Sequence, residues 1–403
     1  MKKVLLVAST TGYQVHSFAE AAAKLGVDLV LATDRCHVLE NPWGDDAVAL
    51  RFDDPDGNLD SLAARGPFDG ILAVGDQPAI AAARIGEHLG LRFSPMDAVV
   101  AAKNKFLARG RFRAAGLPVP HFELVTDSAA AARSAPYPCV LKPVVLSASR
   151  GVIRVNDPGE FDAAFARILR ILEREADASI QLESFIPGRE FALEGVLTHG
   201  RLQPLALFDK PDPLDGPFFE ETIYVTPSRE PSGVQAAIVK TAQRAASALG
   251  LIDGPVHAEM RVNGAGVWML EIAARPIGGL CSRVLRFSGG ATLEQVLVEH
   301  ALGRDASGLR LAAGAHGVMM IPIPAAGIYA GVEGIEEARE AGGIEDIVIT
   351  AKIGQTMLPL PEGASYLGFI FAHAASPVRV EAALREAHAR LRFQLTPSLA
   401  VVR

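Results

Sequence analysis

Two glutamates and an arginine lie close together in residues 256–279, VHAEMRVNGAGVWMLEIAARPIGG. Val256, Ala258, Met260 and Val262 alternate with His257, Glu259 and Arg261. Beyond Asn263-Gly264-Ala265-Gly266, Trp268, Leu270 and Ile272 alternate with Val267, Met269 and Glu271. Period-two alternation on both sides of a turn predicts two antiparallel strands. An odd-length loop between them sets Glu259 directly opposite Glu271, and Arg275 shares the parity of Glu271. Facing carboxylates repel unless a cation stands between them, and a hard cation such as magnesium, carrying phosphates, suits the pair. A solvated hairpin edge with both glutamates in water satisfies the same pattern.

Phosphate chemistry also needs fixed cations and backbone donors. Lys142 lies near the end of an apolar run, CVLKP over 139–143, and a small-residue stretch, SASRG over 147–151, separates it from the run at 152–155. A lysine at a strand end with such a turn behind it can drape N–H groups over a polyphosphate while the ammonium neutralises it. The stretch is not a Walker A motif, which ends in Lys-Ser or Lys-Thr at a helix start. Upstream, the basic helical run AAKNKFLARGRFRAAG ends at Gly116, ahead of Leu117-Pro118-Val119-Pro120. Lys103, Arg109, Arg111 and Arg113 read as a solvated face; Lys105 stands apart as a phosphate candidate. The segment IQLESFIPGREFALE over 180–194 reads as strand, kinked connector and strand. Such a connector offers backbone donors and acceptors beside apolar side chains, which suits the edge of a flat heterocycle such as adenine. Glu190 then reaches a ribose hydroxyl. Residues 208–227 read as one long irregular loop holding Asp209, Lys210, Phe218, Phe219, Glu220, Glu221 and Tyr224. Loops of this length are functional or disordered, and the aromatics argue against disorder.

The elements that must hold these residues follow from periodicity. Strand-like runs at 4–8 and 27–32 flank a helical stretch at 15–25, and a strand at 70–74 meets a helix at 78–89 through Gly75-Asp76-Gln77, which is βαβ grammar. Thr10-Thr11-Gly12 and Gly75-Asp76-Gln77 sit at strand ends, where open α/β sheets place ligands; ordinary turns explain each as well. Helices are predicted at 161–174, 234–249 and 293–302. A final α/β unit after 312 carries strands at 317–321, 346–350 and 366–372 and a helix at 378–392. The chain has 403 residues, a net charge of −7 and an apolar fraction of 49%, which suits a multi-lobed protein with real cores. The acidic balance argues against a nucleic-acid or anionic-membrane partner. Cys36, Cys139 and Cys281 lack metal-ligand spacing and read as reduced thiols of a cytoplasmic protein. The opening MKKVLLVAS reads as a buried strand rather than a leader, and no apolar run reaches the ~18 residues of a membrane span.

Taken in order, the lysines, connector and acidic hairpin resemble the ATP-grasp superfamily. Within it they resemble ligases that join carboxylates to amines, including L-amino acid ligases. The resembling portion runs from about 98 to 303. It implies an α/β ATP-grasp fold with an N-terminal parallel-sheet (pre-ATP-grasp) domain at 1–97, an ATP-grasp domain at 98–310 whose lid covers about 118–187, and a C-terminal α/β cap at 311–403. By resemblance, Lys105 and Lys142 match the nucleotide-phosphate lysines, and Ser147, Ser149 and Gly151 the mobile phosphate loop. Glu183, Ser184, Phe185 and Ile186 match the adenine connector and Glu190 the ribose-side glutamate. Glu259 and Glu271 match the magnesium ligands, with manganese as a substitute. Arg275 matches the arginine that steadies the acyl phosphate and tetrahedral intermediate. Two positions depart from the pattern: Ala273 stands where many relatives place a metal-binding asparagine, and Val144, Val145 and Leu146 replace glycines before Ser147.

The implied reaction is ATP-dependent amide formation through an acyl phosphate, on small-molecule carboxylates and amines that are expected to be amino acids, in a cytoplasmic homodimer. His257, on the strand face of Glu259, can contact the substrate carboxylate or accept the amine proton; a satisfied core histidine fits equally. Lys210, Gly278, Gly279 and Arg283, with Arg286, are candidates for substrate binding, against a solvated face for the arginines. A biotin-carboxylase-like or purine-pathway enzyme shares the same nucleotide site, and a non-catalytic nucleotide-binding regulator is the alternative of another class.

Overall fold

In the computed structural model, residues 1–9, 14–34 and 47–397 are described. Thr10-Thr11-Gly12, expected to form a turn at a strand end, and Cys36 lie outside them. The first strand, Lys3–Ala8, is buried from Val4 onward because it lies inside a parallel sheet covered on both faces. Its neighbours run in the order Ala47–Ala49, Asp28–Thr33, Lys3–Ala8, Gly70–Val74. Leu5 and Val7 enter one core with the helix Asp76–Leu89. Val4, Leu6 and Ala8 enter another with Val15–Leu25 and the much later helix Leu293–Ala301.

The basic run divides into two helices, Met96–Lys103 and Lys105–Ala114. Asn104 between them is extended, and its side chain accepts the Leu107 N–H at 3.0 Å. This N-cap starts a new helix at Lys105 and turns it towards the site. A four-stranded sheet follows, ordered Phe122–Leu124, Ile180–Ser184, Cys139–Pro143, Ile153–Val155, with helix Pro158–Leu172 on it and its own core around Leu141, Phe161 and Leu182.

The largest sheet has eight antiparallel strands, in the order Gly266–Ala273, Gly254–Asn263, Arg189–Thr198, Arg201–Lys210, Ile223–Thr226, Ala315–Ile321, Gly368–Ala374, Ile344–Ile349. It joins the acidic hairpin to the C-terminal strands. The irregular stretch expected over 208–227 is shorter, since Phe208–Lys210 closes one strand and Ile223–Thr226 forms another. A small sheet of Thr356–Met357, Gly327–Glu333 and Arg392–Thr396 completes the C-terminal part. Among the described residues no helix is long and apolar enough to cross a membrane.

The hairpin pairs Glu259 with Glu271, but not through an odd-length loop. Asn263 pairs with Gly266 across the two-residue turn Gly264-Ala265, and the register shifts further along, so that Met260 faces Met269 and Glu259 faces Glu271. Leu270 is the extra residue of a β-bulge. The turn is short because Asn263 Oδ1 accepts the Ala265 N–H at 2.9 Å and Gly266 takes φ +123°.

Candidate active site

Lys142 reaches the cleft from the strand Cys139–Pro143, and its Nζ donates to Glu183 Oε2 at 2.6 Å. Glu183 also accepts from Arg109 Nε at 2.6 Å and Gln181 Nε2 at 2.6 Å. Burial raises the proton affinity of Glu183, yet Arg109 and Lys142 outweigh it and hold the carboxyl at about 2. Arg109 is no solvated face: it is 1% exposed, donates also to Met269 O at 3.0 Å, and ties the helix Lys105–Ala114 to the hairpin. Glu183 lines one cavity with Ser184, Phe185 and Ile186 and also fixes Lys142, because a buried lysine needs a buried counter-charge.

Lys105, at the first turn of its helix, places Nζ 3.6 Å from Glu271 Oε2 and donates to Leu146 O. On the neighbouring strands, Lys210 Nζ donates to Glu190 Oε1 at 2.9 Å, to Glu259 Oε1 at 3.0 Å and to Glu221. Burial disfavours the ammonium, but the three carboxylates outweigh it and hold Lys210 well above its ordinary value. Lys210, expected at the substrate, lines neither of the two cavities over the hairpin; it lies beneath the carboxylates and neutralises them. Glu221, which sequence reasoning left without a role, is raised to about 7 by burial and by Glu259. Glu190 takes a second partner, Arg261 Nε at 2.9 Å.

His257 Nδ1 lies 3.0 Å from Glu194 Oε2 and Nε2 lies 3.4 Å from Glu259 Oε1. Burial lowers its proton affinity, but the two carboxylates prevail and raise it to about 9. Both ring nitrogens face carboxylates, an arrangement that favours donation over the proton-accepting role. Arg275 Nε donates to Asp76 Oδ1 at 2.7 Å, and Ser147 Oγ donates to Asp76 Oδ2. Burial pushes Asp76 up, yet Arg275 and Ser147 overcome it and hold it at about 2. Asp76 belongs to the Gly75-Asp76-Gln77 turn at the end of Gly70–Val74, so the N-terminal sheet contributes a carboxylate that orients Arg275. Its strand-end position was the available signal.

Two cavities meet over the hairpin. One is walled by Val140, Phe185, Ile186, Phe219 and Leu270, with Lys105, Lys142 and Glu190 among its polar groups. The other holds Ser147, Tyr224, His257, Arg275, Ile277, Gly278 and Gly279, with Met320 and Phe369 from the C-terminal strands and Tyr366 from the segment before Gly368–Ala374. Lys105, Ser149, Glu221, Glu259 and Glu271 line both. Apolar walls, two ammonium groups and hard carboxylate donors fit a magnesium nucleotide, and the bulge adds Leu270 to the apolar wall beside Glu271. Gly278 and Gly279 line the second cavity as expected of substrate candidates. Arg283 does not, because its guanidinium pairs with Asp346 at 2.8 Å and covers the Phe371 ring at 4.5 Å. Arg286 is likewise absent from both walls. Ala273 pairs with His257 and offers no ligand atom.

Residues 135–284 match the ATP-grasp domain family, and residues 319–396 match L-amino acid ligase C-terminal domain 2. The chain is similar in structure to an L-amino acid ligase from Bacillus licheniformis, with a TM-score of 0.84 and 26% identity over 98% of this chain and 99% of that one. Carnosine synthase 1 of Homo sapiens is 28% identical over 70% of this chain. The ATP-grasp enzyme fsqD of Aspergillus fumigatus is 26% identical over 68% of it. The chain spans only 37% and 55% of these two curated relatives.

Proposed function

The chain belongs to the ATP-grasp superfamily and carries an L-amino acid ligase C-terminal domain, and from that premise we propose that it is an ADP-forming carboxylate–amine ligase acting on amino acids. The observation that carries the reading is the junction of the two cavities. Phosphate-seeking Lys142 stands on one side, Lys105 with the carboxylates Glu259 and Glu271 at the boundary, and Arg275 and His257 on the other. In this reading the apolar cleft holds the adenine, with the connector backbone at Ser184 to Ile186 at its edge.

A carboxylate is inert to amines because oxide would have to leave. Transfer of the γ-phosphoryl group converts it to an acyl phosphate and releases ADP; amine attack then forms the C–N bond and expels phosphate. Lys105 and Lys142 neutralise the phosphoryl oxygens, which is positioning and electrostatics rather than covalent help. Magnesium, held by Glu259 and Glu271, supplies further charge neutralisation when bound. Arg275, oriented by Asp76, faces the oxyanion that forms during amine attack. His257 donates from Nε2 to a substrate carboxylate oxygen while Glu194 holds Nδ1. The B. licheniformis protein and the carnosine synthases carry names of amino-acid-joining ligases, which supports amino acids as both substrates.

ADP release that requires ATP, magnesium, an acid and an amine together, with an amide product by mass spectrometry, is the expected result. ADP release only with bicarbonate and biotin, or binding of ATP without turnover across all amino-acid pairs, would sink the reading. Glu271→Ala is expected to abolish magnesium-dependent ADP release while circular dichroism stays unchanged.

A further inference from the structure

We propose that Glu362 is a positioning residue for the phosphate-binding turn 147–151, and that the strap 359–366 transmits the occupancy of the second cavity to that turn. The inference rests on the ligase reading, in which the turn covers the ATP phosphates and the second cavity takes an amino acid.

The turn holds an unfavourable backbone. Ala148 and Ser149 take φ values of 54° and 55°, a left-handed conformation that is unfavourable for a non-glycine residue. Such a turn keeps its shape only if its ends are anchored. One end is held by the N-terminal sheet, where Ser147 Oγ bonds Asp76. The other end is held by the strap. Gly151 N donates to Pro361 O at 2.9 Å, and Arg150 Nε donates to Glu362 O at 3.2 Å. The Glu362 carboxylate then accepts Arg167 Nε at 2.6 Å and Nη2 at 2.8 Å, a bidentate pair to the lid helix Pro158–Leu172.

The same strap walls the second cavity. Ala364, Ser365 and Tyr366 line it, only two to four residues beyond Glu362. Gly363 between them leaves no slack: an added Cβ would fall 1.8 Å from Leu358 O, and Gly363 N donates to Pro359 O at 3.0 Å. A side chain pressed against Tyr366 therefore moves Glu362 and, through Arg167 and Pro361, the lid. Nothing in the mechanism above uses Glu362 or Arg167, and both lie outside the two cavities.

The pair is about one-third exposed on each side, so reversing one charge is expected to leave the fold intact and to weaken nucleotide binding roughly five-fold. Hydrogen exchange of the full chain, read over 144–152 and 359–366, tests both halves without turnover. In the wild type, magnesium AMP-PNP should slow exchange over 144–152, and adding the common L-amino acids should slow both segments further. At a nucleotide concentration near the wild-type Kd, Glu362→Arg should lose most of the nucleotide protection and all of the amino-acid effect on 144–152, with exchange over Lys3–Ala8 unchanged. The double change Arg167→Glu with Glu362→Arg should restore both and return the KM for ATP towards the wild-type value. Unchanged protection in Glu362→Arg, or no restoration in the double variant, overturns the positioning role. An absent amino-acid effect in a wild type that makes amide overturns the transmission. A wild type that protects 144–152 with nucleotide but releases ADP with no acid and amine condemns the ligase reading instead, and the Glu362 anchor is still judged by the nucleotide arm.

Discussion

Lys210 is surrounded by Glu190, Glu221 and Glu259, and its buried charge is what allows three carboxylates to share one wall of the cleft. Removing it while keeping its volume leaves like charges unpaired in a desolvated site. Lys210→Met is expected to destabilise the protein by about 3–5 kcal/mol, read as a lowered denaturation midpoint; an unchanged midpoint would show that the carboxylates are compensated in another way. Asp76 gives a pH signature. Its carboxyl lies at about 2 in the fold against 3.8 for the free group, so the paired anion stabilises the native state above pH ~4 and the contribution fades as the pH falls towards 2. The difference in stability between wild type and Asp76→Asn is therefore expected to be about 2 kcal/mol at neutral pH and to shrink below pH ~4. A difference independent of pH would remove the charge from the explanation.

At the scale of elements, the hairpin bulge matters more than the turn. It keeps Met269 and Ile272 in the core while presenting both Leu270 and Glu271 to the cleft, which a regular strand cannot do with consecutive residues. Leu270→Ala is expected to raise the Kd for ATP by about ten-fold, the loss of most of a buried leucine contact, while the magnesium dependence of ADP release is retained. Unaltered ATP affinity would place the nucleotide elsewhere than against the bulge. The alternation of 256–262 with 267–272 made the two strands legible, whereas the bulge was not: it breaks the period at Leu270, and which residue is the extra one depends on the register with the partner strand rather than on residue types within 267–272. The break at Asn104 was hidden similarly: a single capping residue inside a basic run converts one expected helix into two and buries Arg109 rather than exposing it.

At the scale of the whole molecule, the central sheet does not stop at the nucleotide site. Ala315–Ile321 lies between Ile223–Thr226 and Gly368–Ala374, so the C-terminal strands complete the sheet that carries the carboxylates and supply Met320 and Phe369 to the second cavity. A chain ending at residue 311 would leave Ile223–Thr226 as an open edge, a template for aggregation. Such a truncation is expected to be insoluble or aggregated on size exclusion. A monodisperse truncated protein that still binds ATP would show that the two parts fold separately.

The sequence by itself determined the strand and helix periods, the acidic hairpin and the small-residue turn, and it singled out Lys105 and Lys142, because these depend on local alternation and on residue types with few alternative uses. It also supplied the resemblance that oriented them. What only the tertiary structure decided were the partners of charge. Arg109 and Glu183 are 74 residues apart and Asp76 and Arg275 are 199 apart, and no local pattern marks a buried ion pair whose halves lie on different elements. The same holds for Lys210, whose role beneath the carboxylates, rather than towards substrate, depends on which sheet face three strands share.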